Sequence, residues 1–237
     1  MFFNSGYLLF VLIPGMLLAA FAQWRVRSAF EKYSQVRNLR NLTGLDVARI
    51  LMQNEGLQHV QINQIPGMLS DNYDPRSKVM NLSVGSASQP SVASMAVVAH
   101  ELGHALQDSQ GYMWLQLRSG IVGIANIGSN FGWVLIFIGM ALGAMHSSGL
   151  GWNVAMLGVL LMSAAVAFSL ITLPVEFNAS ARARQMLQRN GLLTAQEAEG
   201  VNAVLNAAAL TYVAAAAQAM LQLLYWVSML LGARRND

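Results

Sequence analysis

Apolar positions in this chain gather into four long blocks, at residues 2–24, 121–145, 154–175 and 207–231. Each is long enough for a bilayer span, which needs about 20 mostly apolar residues. The first, "FFNSGYLLFVLIPGMLLAAFAQW", is too long for the apolar region of a signal peptide. It lacks a charged leader and runs into "WRVRSAF" rather than a small-residue cleavage site, so it reads as a retained anchor. A short turn rich in Ser and Gly, "HSSGLGW", separates the second and third blocks and implies an antiparallel helical hairpin. The last block stops at "ARRND".

Between the first two blocks the pattern changes to that of a mixed polar segment. In "NLTGLDVARILMQNEGL", Thr43 is an N-cap with Asp46 three residues on. Val47, Ile50 and Leu51 share a face, and Gly56 is the stop. "VQINQI" and "KVMNLS" alternate as strands, with "DNYDPRS" as the turn between them. "SQPSVASMAVVAHELGHALQDSQG" predicts a helix from near Pro90 to just before Gly111. After the third block, "EFNASARARQMLQRNG" predicts another helix, stopped by Gly191.

The fold class expected is a mainly α, multi-pass membrane protein with a short β-hairpin or small sheet in its polar segment. Its parts are an anchor (1–24), a segment with the histidine-bearing helix (25–118) and a helical hairpin (119–175). A second ligand-bearing segment (176–206) and a last spanning helix with its tail (207–237) complete the chain.

Composition agrees: 55% of the residues are hydrophobic and only 11% charged, against about 25% charged in soluble domains. The net charge is only +3, with no basic run interleaved with aromatics, so no nucleic-acid partner is expected. Lys and Arg number nine in 25–118 and three in 174–206. By the positive-inside rule these two segments share the cytoplasmic side of a plasma (inner) membrane. Arg234 and Arg235 then fall outside, a minor conflict that vanishes if the last block does not fully span. There is no cysteine, which excludes a disulfide scaffold, a thiolate metal site and a thiol nucleophile.

The chemistry lies in "HELGH". Residues four apart on a helix are about 40° apart around its axis, so His100 and His104 can hold one metal ion while Glu101 stands beside them as a base. The bland alternative is a hydrogen-bonded polar turn. Chance alone would give this motif on the order of 0.002 times in a chain of this composition. A catalytic zinc needs a third protein ligand and an open position for water. The extended motif with Gly at 107 and His at 110 is closed, because both positions are Gln. His146 is expected on the far side of the membrane, and His59 reads as a surface residue. Glu176 remains, just after the third block on the same expected side; its competing reading is an interfacial carboxylate near Arg182 or Arg184. Ser180 and Arg184 follow it one and two turns along its face.

"TGLDVARILMQNEGL", "LSDNYDPRSKVMNLS", "SVASMAVVAHELGHALQ", "LPVEFNASARA" and "AAALTYVAAA", in that order, resemble the YugP-type zinc-dependent membrane metallopeptidases over nearly the whole chain. The resemblance implies one Zn2+ per chain on His100, His104 and Glu176, with Glu101 as general base in an endopeptidase of membrane or membrane-proximal proteins. More distantly, the chain is similar to the HtpX-like proteases, whose Glu-x-x-Ala-Asp motif has Ser180 in its Asp position here. In those relatives the Asp orients a ligand histidine, a task a serine hydroxyl performs less strongly.

Arg184 and Tyr212 are the candidate oxyanion donors, each with a structural reading beside it. Val79, Met80 and Asn81 form the candidate substrate-binding strand, read as an exposed edge. Asn126, Ser129 and Asn130 form a polar stripe expected to hydrogen-bond between helices. The partners expected are a peptide or membrane-protein substrate and the bilayer. A membrane-protein partner or homo-oligomer is compatible with the pattern and not specified by it. The competing class is a non-enzymatic membrane scaffold or chaperone partner with a structural metal site.

Overall fold

The structure is a computed structural model that describes residues 5–143 and 149–234. His146 and most of the hairpin turn lie outside the described residues. The described residues divide into two compact units, one within 5–21, 117–143, 149–173 and 212–234, the other of 22–116 and 174–211. Among the described residues four helices are long and apolar enough to cross a membrane: α1 (Ser5–Ser34), α5 (Met113–Ala141), α6 (Leu150–Arg189) and α7 (Ala195–Arg234).

In the first unit α5 and α6 approach closely through glycines. A side chain added at Gly128 would meet the Leu161 carbonyl oxygen at 2.0 Å, and one at Gly139 would meet Gly151 O at 2.6 Å. Lipid offers no hydrophobic drive between helices, so such small-residue contacts supply the packing. A core of Val11, Ile136, Val159, Trp226 and Leu230 completes the unit. The polar stripe on α5 departs from expectation. Ser129 and Asn130 donate to the Asn126 carbonyl oxygen of their own helix and remain exposed, so they need no partner across a helix interface.

The second unit holds α2 (Gly44–Asn54), a sheet of β1 (Gln61–Ile65), β2 (Asn72–Asp74) and β3 (Val79–Ser83), and then α3 (Val84–Ser88) and α4 (Val92–Ser109). α2 starts as its sequence predicts: Thr43 and Asp46 cap each other reciprocally. α4 is capped by Ser91, whose hydroxyl accepts from Ser94 N–H. Fourteen of its eighteen residues are buried, so it is the central element of a core that includes Leu51, Leu57, Met80, Leu82, Leu102 and Met186.

The sheet order is β1–β3–β2, with β1 parallel and β2 antiparallel to β3. This corrects two expectations. The stretch "DNYDPRS" is not all turn, because Asn72–Asp74 is a strand. Its turn-forming composition hides a tyrosine whose ring is buried and whose hydroxyl donates to Asp108 at 2.6 Å. And Val79, Met80 and Asn81 lie on the central strand, paired on both sides, with Met80 fully buried. Their ladder groups are committed, so the exposed edge read for this strand does not exist.

Two helices run past their expected ends. The third apolar block and the segment after it form one helix, α6, with Pro174 inside it. Proline removes a single intrahelical bond, and a long helix accommodates that loss by local adjustment and through its packed neighbours. α7 begins at Ala195 rather than near residue 207. Thr194 and Glu197 form a capping box there, with Glu197 accepting from Thr194 N–H at 3.0 Å and Thr194 Oγ1 accepting from Glu197 N–H. Glu197 also accepts from the Leu39 N–H, tying α7 to the stretch after α1.

Candidate metal centre

His100 and His104 project from one face of α4 toward Glu176 on α6. His100 Nε2 lies 3.2 Å from Glu176 Oε2, and His104 Nε2 lies 3.5 Å from the same oxygen. The two rings meet edge to face with centroids 4.8 Å apart. One ligand atom from each of the three residues lies within 4.8 Å of the other two. A tetrahedral zinc with bonds of about 2.05 Å would separate its ligand atoms by about 3.3 Å. The two histidine–glutamate distances bracket that value and all three atoms lie within 4.8 Å of one another, so the donor set is compatible with such an ion.

The remaining ring nitrogens are also engaged. His100 Nδ1 faces Ser180 Oγ at 3.2 Å, and His104 Nδ1 faces Gln107 Oε1 at 3.0 Å. A histidine that donates from Nδ1 keeps its Nε2 lone pair for a cation. Both oxygens are neutral, where a carboxylate is the common partner. Ser180 thus contacts one of the two candidate ligand histidines, His100.

What brings the two helices this close is Gly103, in the middle of the motif. A Cβ at this position would sit 2.5 Å from the Ala179 carbonyl oxygen on α6. Only a residue without a side chain allows the backbones to meet between the histidines on one helix and Glu176 and Ser180 on the other. Gly103→Ala is therefore expected to force the helices apart, at the roughly 1–3 kcal/mol typical of overpacking, and to lower bound zinc with the thermal midpoint. Unchanged zinc content and midpoint would show that the contact is not limiting.

Glu101, 7% exposed, has no place among the three converging atoms. Burial pushes its carboxyl up to about 7. His100 opposes that rise, the charges of Glu176 and Asp71 add to it, and the backbone of Tyr73 on β2 opposes it again. Asp71 in turn accepts from the Ser83 N–H and from the hydroxyls of Ser83 and Ser86. A carboxylate poised near neutrality is suited to exchanging protons.

The other candidates are placed as follows. Arg184 donates to Asn202 and Asn206 at 2.5 and 2.7 Å, which binds α6 to α7. Tyr212 belongs to the membrane-spanning unit, and the two histidines to the other. His59 is exposed, as read from the sequence. Gln107, which served in the sequence only to close the longer histidine motif, contacts a candidate ligand directly. Its position one turn after His104 was the available signal.

Four apolar helices and a convergent His–His–Glu group define a membrane protein with a site compatible with a metal ion. The chain belongs to the family described as "Putative neutral zinc metallopeptidase", whose model matches residues 8–231. It is 42% identical over 229 residues to a Bacillus subtilis (strain 168) protein named "Putative membrane protease YugP", covering 97% of this chain and 99% of that one. No solved structure matches the chain.

Proposed function

We propose that the protein is a zinc-dependent endopeptidase of membrane or membrane-proximal proteins, of the gluzincin type, with its site on the cytoplasmic side. The observation that carries this reading is the convergence of His100 Nε2, His104 Nε2 and Glu176 Oε2 beside a buried carboxylate that is not one of them. A purely structural zinc is closed by four protein ligands and has no use for Glu101. Among the described residues no fourth His, Cys, Asp or Glu joins the group.

In this reading His100, His104 and Glu176 hold one zinc ion per chain. Bound there, zinc lowers the pKa of a coordinated water and polarises a carbonyl. Glu101 accepts the proton from the attacking water and returns it to the leaving amine. Ser180 and Gln107 accept from the Nδ1 hydrogens and hold the rings in orientation. The substrate backbone runs along the free edge of β2, not along β3. Strand β2 is paired only with β3 among the described residues, and the Tyr73 backbone already faces Glu101.

The test is cleavage of an unfolded or membrane-tethered reporter by protein in proteoliposomes, with a zinc chelator and then with zinc restored. Cleavage should stop on chelation and return with zinc. Cleavage indifferent to chelation, or none from a zinc-loaded protein across a broad peptide library, would leave the scaffold reading in its place.

A further inference from the structure

The donors and acceptors around Gln107 form a chain in which each orientation dictates the next. The chain begins at Arg182, whose guanidinium can only donate. Its Nε donates to Asn178 Oδ1 at 2.7 Å, so the oxygen of the Asn178 amide faces that way. Arg182 is held in turn by Gln110 Oε1 at 2.5 Å and lies over the Tyr112 ring, 5.7 Å from its centroid. The same Asn178 oxygen lies 3.0 Å from the Gln107 side chain, and the Val175 carbonyl oxygen lies 2.8 Å from it. Both are acceptors, so Gln107 must present its NH2 to them. Its carbonyl oxygen then faces His104 Nδ1. That fixes a hydrogen on Nδ1 and leaves Nε2, on the side of Glu176, as the ring atom available to a cation.

We infer that Gln107 and Asn178 are positioning residues that relay the fixed polarity of Arg182 to His104, holding its ring in the tautomer that can ligate a cation. The inference rests on the zinc reading for its purpose, but the tautomer itself is a property of the chain. Gln107 is fully buried, so water cannot replace its bonds. Its contacts with Val175 and Asn178 also fasten α4 to the turn of α6 that carries Glu176, so one side chain governs the placing of two ligands from two helices.

The test reads tautomer and zinc separately, on full-length protein in detergent. Selective 15N-histidine labelling reports which ring nitrogens of His104 carry hydrogen in chelator-treated protein. Wild type should show the Nδ1–H form, and Gln107→Met, which fills the space without hydrogen bonds, should lose that preference. Competition with a chelator should show zinc bound about 10–100-fold more weakly in Gln107→Met, the range for loss of a ligand's orienting partner.

Asn178→Asp keeps the acceptor oxygen and should retain both the tautomer and zinc affinity within a few-fold of wild type; Asn178→Leu should not. Should Gln107→Met fail to fold, the two Asn178 variants carry the comparison. A wild-type ring with hydrogen on Nε2 and none on Nδ1, or the same ring state in the wild type and in Gln107→Met or Asn178→Leu, would overturn the relay. A correct tautomer in a wild-type protein that binds no zinc would instead overturn the metallopeptidase reading and leave the relay standing.

Discussion

Glu101→Gln should abolish nearly all peptide-bond cleavage, with kcat/KM falling on the order of 10³-fold, while zinc content stays at the wild-type level. The amide is isosteric and leaves the three converging ligand atoms alone, but it cannot accept a proton from water. General-base contributions of about 10²–10⁴-fold set the scale. Elemental analysis beside a steady-state assay measures both quantities on one preparation. Loss of zinc together with activity would mean that Glu101 supports the site, and full activity would remove it as the base.

The pH dependence follows from the same carboxylate. Burial lifts Glu101 to about 7 before any cation is counted, and a bound cation favours the charged form and moves it down. Wild-type kcat/KM should therefore fall about tenfold per unit on the acid side, with its inflection at or below 7. The residual activity of Glu101→Gln should lack that limb.

Glu176→Ala should remove the metal. Its carboxylate is the anionic member of the group, and its oxygen is the point on which both histidines converge. Zinc affinity is expected to fall by more than the roughly 10–100-fold that accompanies loss of an orienting partner, so purified variant should carry little or no zinc. Elemental mass spectrometry of wild type beside the variant decides the matter, and equal zinc in both would exclude Glu176 as a ligand. Because Glu176 is 2% exposed beside two imidazoles, the variant also leaves a cavity, and Glu176→Gln serves as the same-volume control.

The elements that sequence alone revealed are those whose signal is local. Thr43 and Asp46 cap α2 because their side chains reach backbone only three residues away, and the apolar blocks announce spans by length alone. The histidine pair needs no more than one helical turn. Glu176 could be reached by elimination among few candidates.

What stayed hidden depends on contacts between distant segments. The strand at Asn72–Asp74 is held by the burial of Tyr73 and its bond to Asp108, thirty-five residues on, against a composition that favours a turn. The position of β3 in the middle of the sheet depends on a parallel pairing with β1 that alternation does not encode. Gly103 looks like an incidental helix glycine until Ala179 is placed against it. The extension of α7 back to Ala195 is a different case, since the Thr194–Glu197 capping box was there to be seen in the sequence.

The close seating of α4 on α6 through Gly103 bears on how the protein would exchange its metal. All three proposed ligands stand on helices, and α4 is embedded in an extensive apolar core. In zinc fingers the ion supplies the folding energy and its removal unfolds the chain. Here the helices that carry the proposed ligands are packed in an apolar core of their own. Apo-protein should keep its helical circular dichroism and take up zinc again without a refolding step.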